Sequence, residues 1–211
     1  MIRVFLADDQ EMVRAGFTML LEAEGDIEVV GTAGSGEDAV SATKQLHPDV
    51  VLMDIRMPSM NGLDATRLIT SMSHAPRVVV VTTFDTDEYL RSALQAGASG
   101  FLLKDAGPRL LVEAVRAAAN GDALVSPSIT VRLLGELASA TTAPTEHHGL
   151  SDREVEIAAA IARGGTNEEI AADLFVSLST VKTHARNISA KIGARNRVEI
   201  AAWAWRAGVV S

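Results

Sequence analysis

Five short apolar runs, each followed by an amphipathic stretch at helical spacing, fill the first 124 residues, and this alternation restricts the fold more than any other feature of the chain. Strands read at Ile2–Ala7, Ile27–Ala33, Val50–Met53, Val78–Val81 and Gly100–Leu102. Helices read at Glu11–Glu22, Gly36–Gln45, Gly62–Thr70, Thr86–Ala96 and Pro108–Ala119. Strands separated by helices pair in parallel through crossovers rather than as hairpins. A strand apolar at every position, such as Val50–Met53, suits the middle of a sheet covered on both faces. The pattern predicts an α/β domain with a five-stranded parallel doubly wound sheet, (βα)5, and right-handed crossovers.

The strand ends carry the chemistry. Asp54 closes the third apolar strand, and Asp8-Asp9 follow the first. Ligands of open α/β sheets bind beyond the carboxyl ends of the strands. A single Asp there could simply cap a turn, but three clustered carboxylates repel one another and call for a cation. With no Cys in the chain, all-oxygen ligation favours Mg²⁺ or Mn²⁺ over zinc. Thr82 ends the fourth strand and offers a hydroxyl. Lys104 follows the fifth and offers a compact ammonium suited to a phosphoryl oxygen. Each residue alone is an ordinary strand-end residue; together they form one constellation. Gly34-Ser35-Gly36 resembles half of a dinucleotide fingerprint, but it lacks the third glycine and does not follow the first strand.

The 211 residues are enough for two domains. After the sheet pattern ends, Ser126-Pro127-Ser128 opens a helical stretch through Leu137. A small, polar, Pro-containing stretch at 138–149 then reads as a flexible linker, in which His147-His148 are solvated rather than metal-binding. The expected division is 1–122, a linker helix and flexible linker at 123–147, and an all-α four-helix domain at 148–211. Ser151 with Glu154 has capping-box spacing and starts a helix to about Ala162. Asn167 is expected to cap Glu168–Leu174, Ser177 to cap Leu178–Ile192, and a last helix spans about Arg195–Arg206. Helices joined by such short turns have the helix-turn-helix layout.

The net charge of −8 hides an asymmetry. Residues 1–125 carry 18 acidic against 10 basic groups, whereas 126–211 carry 9 of each. From Val176 onward, Lys182, Arg186, Lys191, Arg195, Arg197 and Arg206 face only Glu199. A basic patch on a neutral domain is an electrostatic footprint of nucleic-acid binding. In Leu178–Ile192, Val181, Ala185, Ile188 and Ile192 recur at core spacing, and Lys182, Thr183, Arg186 and Asn187 share another face. Such a stripe can be only the wet side of a helix; its place after a helix and a short turn makes it a recognition helix. Lys, Arg and Thr can meet base edges. Ser177, Ser179 and Thr180 near the helix N-terminus suit phosphate contacts.

Asp8-Asp9, Asp54, Thr82 and Lys104, in that order, make residues 1–122 resemble the receiver of two-component response regulators. The resemblance implies that Asp54 accepts phosphate and that Asp8, Asp9, Asp54 and the backbone carbonyl of Arg56 hold Mg²⁺. It makes Thr82 the switch hydroxyl, Lys104 the phosphoryl-binding lysine and Phe101 the switch aromatic. Leu150-Ser151-Asp152-Arg153-Glu154, Asn167-Glu168-Glu169-Ile170-Ala171 and Thr180-Val181-Lys182-Thr183-His184 resemble the LuxR-type helix-turn-helix domain. The whole chain is thus similar to the NarL/FixJ family.

That resemblance implies a DNA-binding transcriptional regulator and not an enzyme. A sensor histidine kinase would phosphorylate Asp54, Thr82 and Lys104 would move inward, and Phe101 would repack. Homodimers would then bind promoter half-sites. Lys191 would meet phosphate, and Ile200, Ala201 and Ala204 would pair two DNA-binding domains. A Mg²⁺-dependent phosphatase is the rival from another class, but such enzymes need a second acid two positions after the nucleophile, where Arg56 stands. A protein-binding adaptor is a further alternative, against which the basic stripe argues. No apolar run reaches the roughly 20 residues that cross a bilayer, and the N-terminus lacks a signal-peptide layout, so a cytoplasmic location without membrane partners is expected.

Overall fold

Parallel pairing in the order β2-β1-β3-β4-β5 turns the five apolar runs into one sheet. The strands are β1 (Ile2–Ala7), β2 (Ile27–Ala33), β3 (Val50–Met53), β4 (Arg77–Thr82) and β5 (Gly100–Leu103). They alternate with α1 (Glu11–Glu22), α2 (Gly36–Leu46), α3 (Gly62–Thr70), α4 (Asp87–Gln95) and α5 (Pro108–Asn120). The computed structural model describes residues 1–83, 86–122 and 149–210. The expected helix from Ser126 to Leu137, the linker through residue 148 and His147-His148 lie outside the described residues.

Strand alternation sorts the apolar side chains onto two faces. Val4, Leu6, Leu52, Val79 and Leu102 pack with Leu21 of α1 and with Leu111 and Val115 of α5. Phe5, Val51, Met53 and Val78 point the other way, against Ala39 of α2 and Ala65 and Ile69 of α3. Both faces are covered, which accounts for the uninterrupted apolar sequence of β3. The sheet order reverses between β1 and β3. That switch point is where the carboxyl ends open a crevice.

Contacts divide the chain into two compact units between residues 126 and 127. In the described part of the second unit are α6 (Asp152–Ala162), α7 (Asn167–Asp173), α8 (Leu178–Ile192) and α9 (Arg197–Arg206). Ile157, Ile161, Ile170, Val181, Ile188 and Trp203 form its core. Side-chain caps start all four helices: Ser151, Thr166, Ser177 and Asn196 accept the N–H groups of Glu154, Glu169, Thr180 and Glu199.

Two of these starts differ from the sequence expectation. Thr166, not Asn167, caps α7, because Thr166 and Glu169 close a reciprocal capping box. Asn167 lies inside the helix, buried, and its Oδ1 accepts from Arg197 Nη1 at 2.8 Å. The last helix begins at Arg197 rather than Arg195, with Asn196 as its cap.

Candidate functional site

Register alone brings two of the acids together. Ala7 and Met53 are the last paired residues of adjacent β1 and β3, so Asp8 and Asp54 leave the sheet side by side. The Asp54 N–H donates to the Ala7 carbonyl (2.8 Å) and the Asp8 N–H to the Ala33 carbonyl (3.0 Å), which fixes both backbones at the sheet edge. Asp8 and Asp54 are buried, while Asp9 is exposed. Oxygens of the three carboxylates lie within 4.8 Å of one another. On the other side Thr82 pairs with Leu103, and the Lys104 N–H donates to the Thr82 carbonyl at 2.9 Å. The Lys104 ammonium reaches back to Asp8 Oδ2 at 2.6 Å and Asp54 Oδ2 at 3.0 Å. Asp54 Oδ1 accepts the Ile55 N–H at 2.8 Å, and Asp8 Oδ1 accepts that of Gln10 at 2.9 Å.

Three acids against one ammonium leave the cluster negative. Burial pushes the Asp54 carboxyl above its usual range; the Lys104 hydrogen bond opposes that rise and the charge of Asp8 adds to it. For Lys104, burial acts downward, but the bonds to Asp8 and Asp54 carry its pKa above the usual value. The uncompensated charge and the hard oxygen donors fit a divalent ion such as Mg²⁺ or Mn²⁺. An open groove of about 720 Å³, lined by Asp9, Arg56, Asn61 and Tyr89 among others, gives solvent access beside the acids.

The other expected residues surround this cluster. Thr82 is fully buried at the end of β4, whereas the adjacent Thr83 is exposed. Phe101 is already packed inside the sheet, paired with Val80 and 1% exposed. Lys104 is likewise already at the acids, so an inward approach of that side chain does not apply to this state. Arg56 lies in the loop after Asp54, with its guanidinium 3.4 Å from the Tyr89 hydroxyl.

Gly62 belongs to the site, although its place in the sequence marks only the start of a helix. A Cβ there would lie 1.8 Å from the Asp54 carbonyl oxygen. The Gly62 N–H donates to the Ile55 carbonyl at 2.8 Å, so the start of α3 is pressed against the backbone that carries Asp54. Its only sequence signal is a glycine directly after the capping Asn61.

In the second unit Lys182, Thr183, Arg186 and Asn187 are exposed on α8, opposite buried Val181 and Ile188. Ser177 Oγ lies 2.8 Å from Ser179 Oγ and 2.7 Å from Thr180 Oγ1, which gathers three hydroxyls at the helix N-terminus. Lys191 differs from the expectation. Its side chain is 41% exposed, but its ammonium bonds buried Glu154 Oε2 (2.6 Å) and the Gly149 carbonyl (3.2 Å), so it serves as a clamp between α6 and α8. Ile200 and Ala204 differ as well: both are buried in their own core and leave only half-buried Ala201 for an intermolecular contact.

Comparison with known proteins accounts for both units. Residues 4–116 match the family described as response regulator receiver domain, and residues 148–204 match bacterial regulatory proteins of the luxR family. The chain is 42% identical over 212 residues to the uncharacterized transcriptional regulatory protein YxjL of Bacillus subtilis (strain 168), covering 99% of this chain and 97% of that one. It is 39% identical over 211 residues to the transcriptional regulatory protein LiaR of the same organism, covering 100% of both. The crystal structure of response regulator ChrA, from a heme-sensing two-component system, is 37% identical with a TM-score of 0.54, covering 99% of this chain and 98% of that one. A structure of RcsB dimers bound to DNA shares the fold at 24% identity and a TM-score of 0.58, covering 97% of this chain and 98% of that one.

Proposed function

This chain belongs to the NarL/FixJ family of two-component response regulators, with a receiver and a LuxR-type DNA-binding domain, and we propose that phosphorylation of Asp54 by a sensor histidine kinase controls its binding to promoter DNA. The observation that carries this reading is the cluster of Asp54, Asp8 and Lys104 at the switch point of the sheet. An Asp54 oxygen attacks the phosphorus of a phosphohistidine. The new O–P bond replaces the P–N bond, whose electron pair goes to the departing ring nitrogen; the other ring nitrogen carries a proton, so the histidine leaves as neutral imidazole. Asp8, Asp9, Asp54 and the Arg56 carbonyl are the groups that would hold Mg²⁺, whose charge offsets that of the incoming phosphoryl group. Lys104 exchanges Asp54 for a phosphoryl oxygen while it keeps Asp8. Thr82 supplies a hydroxyl to the same group, and Phe101 repacks within the core rather than entering it.

The output lies on α8. Lys182, Thr183, Arg186 and Asn187 face base edges and backbone, and Ser177, Ser179 and Thr180 face phosphates. Lys191 is assigned to the clamp rather than to DNA. Phosphorylated chains pair, and two α8 helices then read half-sites about one helical turn apart; RcsB, which shares this fold, is bound to DNA as dimers. Residues 1–122 act as receiver, 123–147 as linker and 148–211 as reader. Arg56, where a phosphatase would carry a second acid, supports a regulator rather than an enzyme. Among the described residues no helix is long and apolar enough to cross a membrane.

The direct experiment is phosphoryl transfer from a small donor such as acetyl phosphate with Mg²⁺. Asp54→Asn is expected to reduce incorporation to background. Incorporation equal to that of the unaltered protein would refute the assignment.

A further inference from the structure

Among the described residues of the second unit, three of the four helices end at a glycine in the left-handed region: Gly164 (φ 85°) after α6, Gly193 (70°) after α8 and Gly208 (68°) after α9. The fourth, α7, ends at Phe175, with φ 53°. The hydrogen bonds there are those of a Schellman closure: the Phe175 N–H donates to the Ala172 carbonyl (3.3 Å) and the Val176 N–H to the Ala171 carbonyl (3.0 Å). Glycine occupies that position without strain, whereas the Cβ of an L residue crowds the backbone. The ring gains nothing inside the unit in return. Phe175 is 94% exposed, more than any other large apolar side chain among the described residues, while Leu174 and Val176 on either side pack against the core. A strained backbone beneath a fully solvated aromatic ring points to a contact outside the unit.

Its place identifies the contact. Phe175 stands two residues before Ser177, the cap of α8, where three hydroxyls and the first helical amides present an anion-attracting end. Exposed Lys182 and Arg186 continue along the same helix. A surface with an apolar ring beside an anion-seeking helix end complements the DNA backbone, in which apolar deoxyribose alternates with phosphate. We propose that Phe175 is a DNA contact: its ring packs against deoxyribose next to the phosphate met by the α8 N-terminus, and it seats the helix without reading sequence. This rests on the reading of α8 as the DNA-binding helix.

Phe175→Gly in the full chain separates binding from folding, because glycine removes the strain together with the ring. Unfolding of the second unit, followed by the fluorescence of Trp203 and Trp205, is expected to hold or move to higher temperature. Affinity for duplex DNA of arbitrary sequence at low salt is expected to fall about tenfold, the order of magnitude of losing one buried aromatic contact. The slope of log affinity against log salt stays unchanged, since no charge is removed. In the same assay Lys182→Ala with Arg186→Ala lowers both affinity and slope. Undiminished binding by Phe175→Gly overturns the proposal. So does a lower melting temperature, which makes the ring structural, or a loss of affinity that follows dissociation of a dimer, which makes its partner a second copy. Equal binding by the unaltered protein and the double alanine variant overturns instead the reading of α8 beneath it.

Discussion

The two units each contain a buried carboxylate held by a lysine, and the two pairs are tuned in opposite directions. Asp54 and Glu154 are equally buried, each 4% exposed. Lys104 approaches Asp54 at 3.0 Å, and Lys191 approaches Glu154 at 2.6 Å. Yet burial raises the pKa of Asp54, whereas the Lys191 ammonium, helped by the Ser151 N–H, lowers that of Glu154 to about 2. The neighbours make the difference. Glu154 also accepts from the Ser151 hydroxyl, so its charge is fully compensated. Asp54 shares its lysine with Asp8, which adds repulsion. One pair is built to hold two helices together. The other is left short of positive charge, which suits the cation and the phosphoryl group proposed for it.

This contrast breaks most visibly at Glu154. Replacement of Glu154 by Gln removes the partner of Lys191 and the charged acceptor of Ser151; with the Lys191 side chain 41% exposed, solvent takes up part of the loss, and the second unit is expected to be destabilised by about 2 kcal/mol. Both tryptophans, Trp203 and Trp205, lie in this unit, so thermal unfolding read by their fluorescence isolates it. Acid should act in the same direction and to a similar extent. A depressed carboxylate contributes stability that is complete above its ordinary value of 4.5 and lost as pH falls toward about 2. With Lys191 partly solvated, a loss of roughly 2 kcal/mol over that window is expected from an acid titration of the same fluorescence.

Asp54 should behave in the reverse sense. A carboxylate with a raised folded-state pKa costs stability once ionised; the cost appears as pH rises past the ordinary 3.8 and is complete above the folded value. Asp54→Asn removes that cost and is expected to stabilise the receiver at neutral pH, by less than Glu154→Gln destabilises the second unit. Calorimetry would detect this as a higher receiver melting temperature. A lower one would mean that Lys104 contributes more than burial and Asp8 take away, and the contrast with Glu154 would disappear.

The sequence made one of these sites more legible than the other. The receiver cluster comes from residues at the ends of apolar strands, and strand ends are visible as the point where an apolar run stops. Once the strands pair in parallel, Asp8, Asp54 and Lys104 must meet. The Lys191–Glu154 clamp joins residues 37 apart on two helices, and no local pattern announces it. Asn167 misled for a related reason: a good capping residue stands one place after Thr166, and its true partner, Arg197, is 30 residues away. Core spacing placed Val181 and Ile188 correctly on α8, but α9 is too uniformly apolar for spacing to show that Ile200 and Ala204 face inward. The packing of Gly62 against the Asp54 carbonyl depends on a close backbone approach that sequence does not encode locally.

Charge placed on Asp54 is proposed to be felt by α8. That coupling is read from the affinity of the full chain for duplex DNA with and without beryllofluoride and Mg²⁺, compared with Asp54→Asn under the same salt. Tighter binding by the unaltered protein is expected when beryllofluoride is present, with no response from Asp54→Asn. Identical affinity with and without beryllofluoride, under conditions where the unaltered receiver binds it, would mean that Asp54 does not control α8.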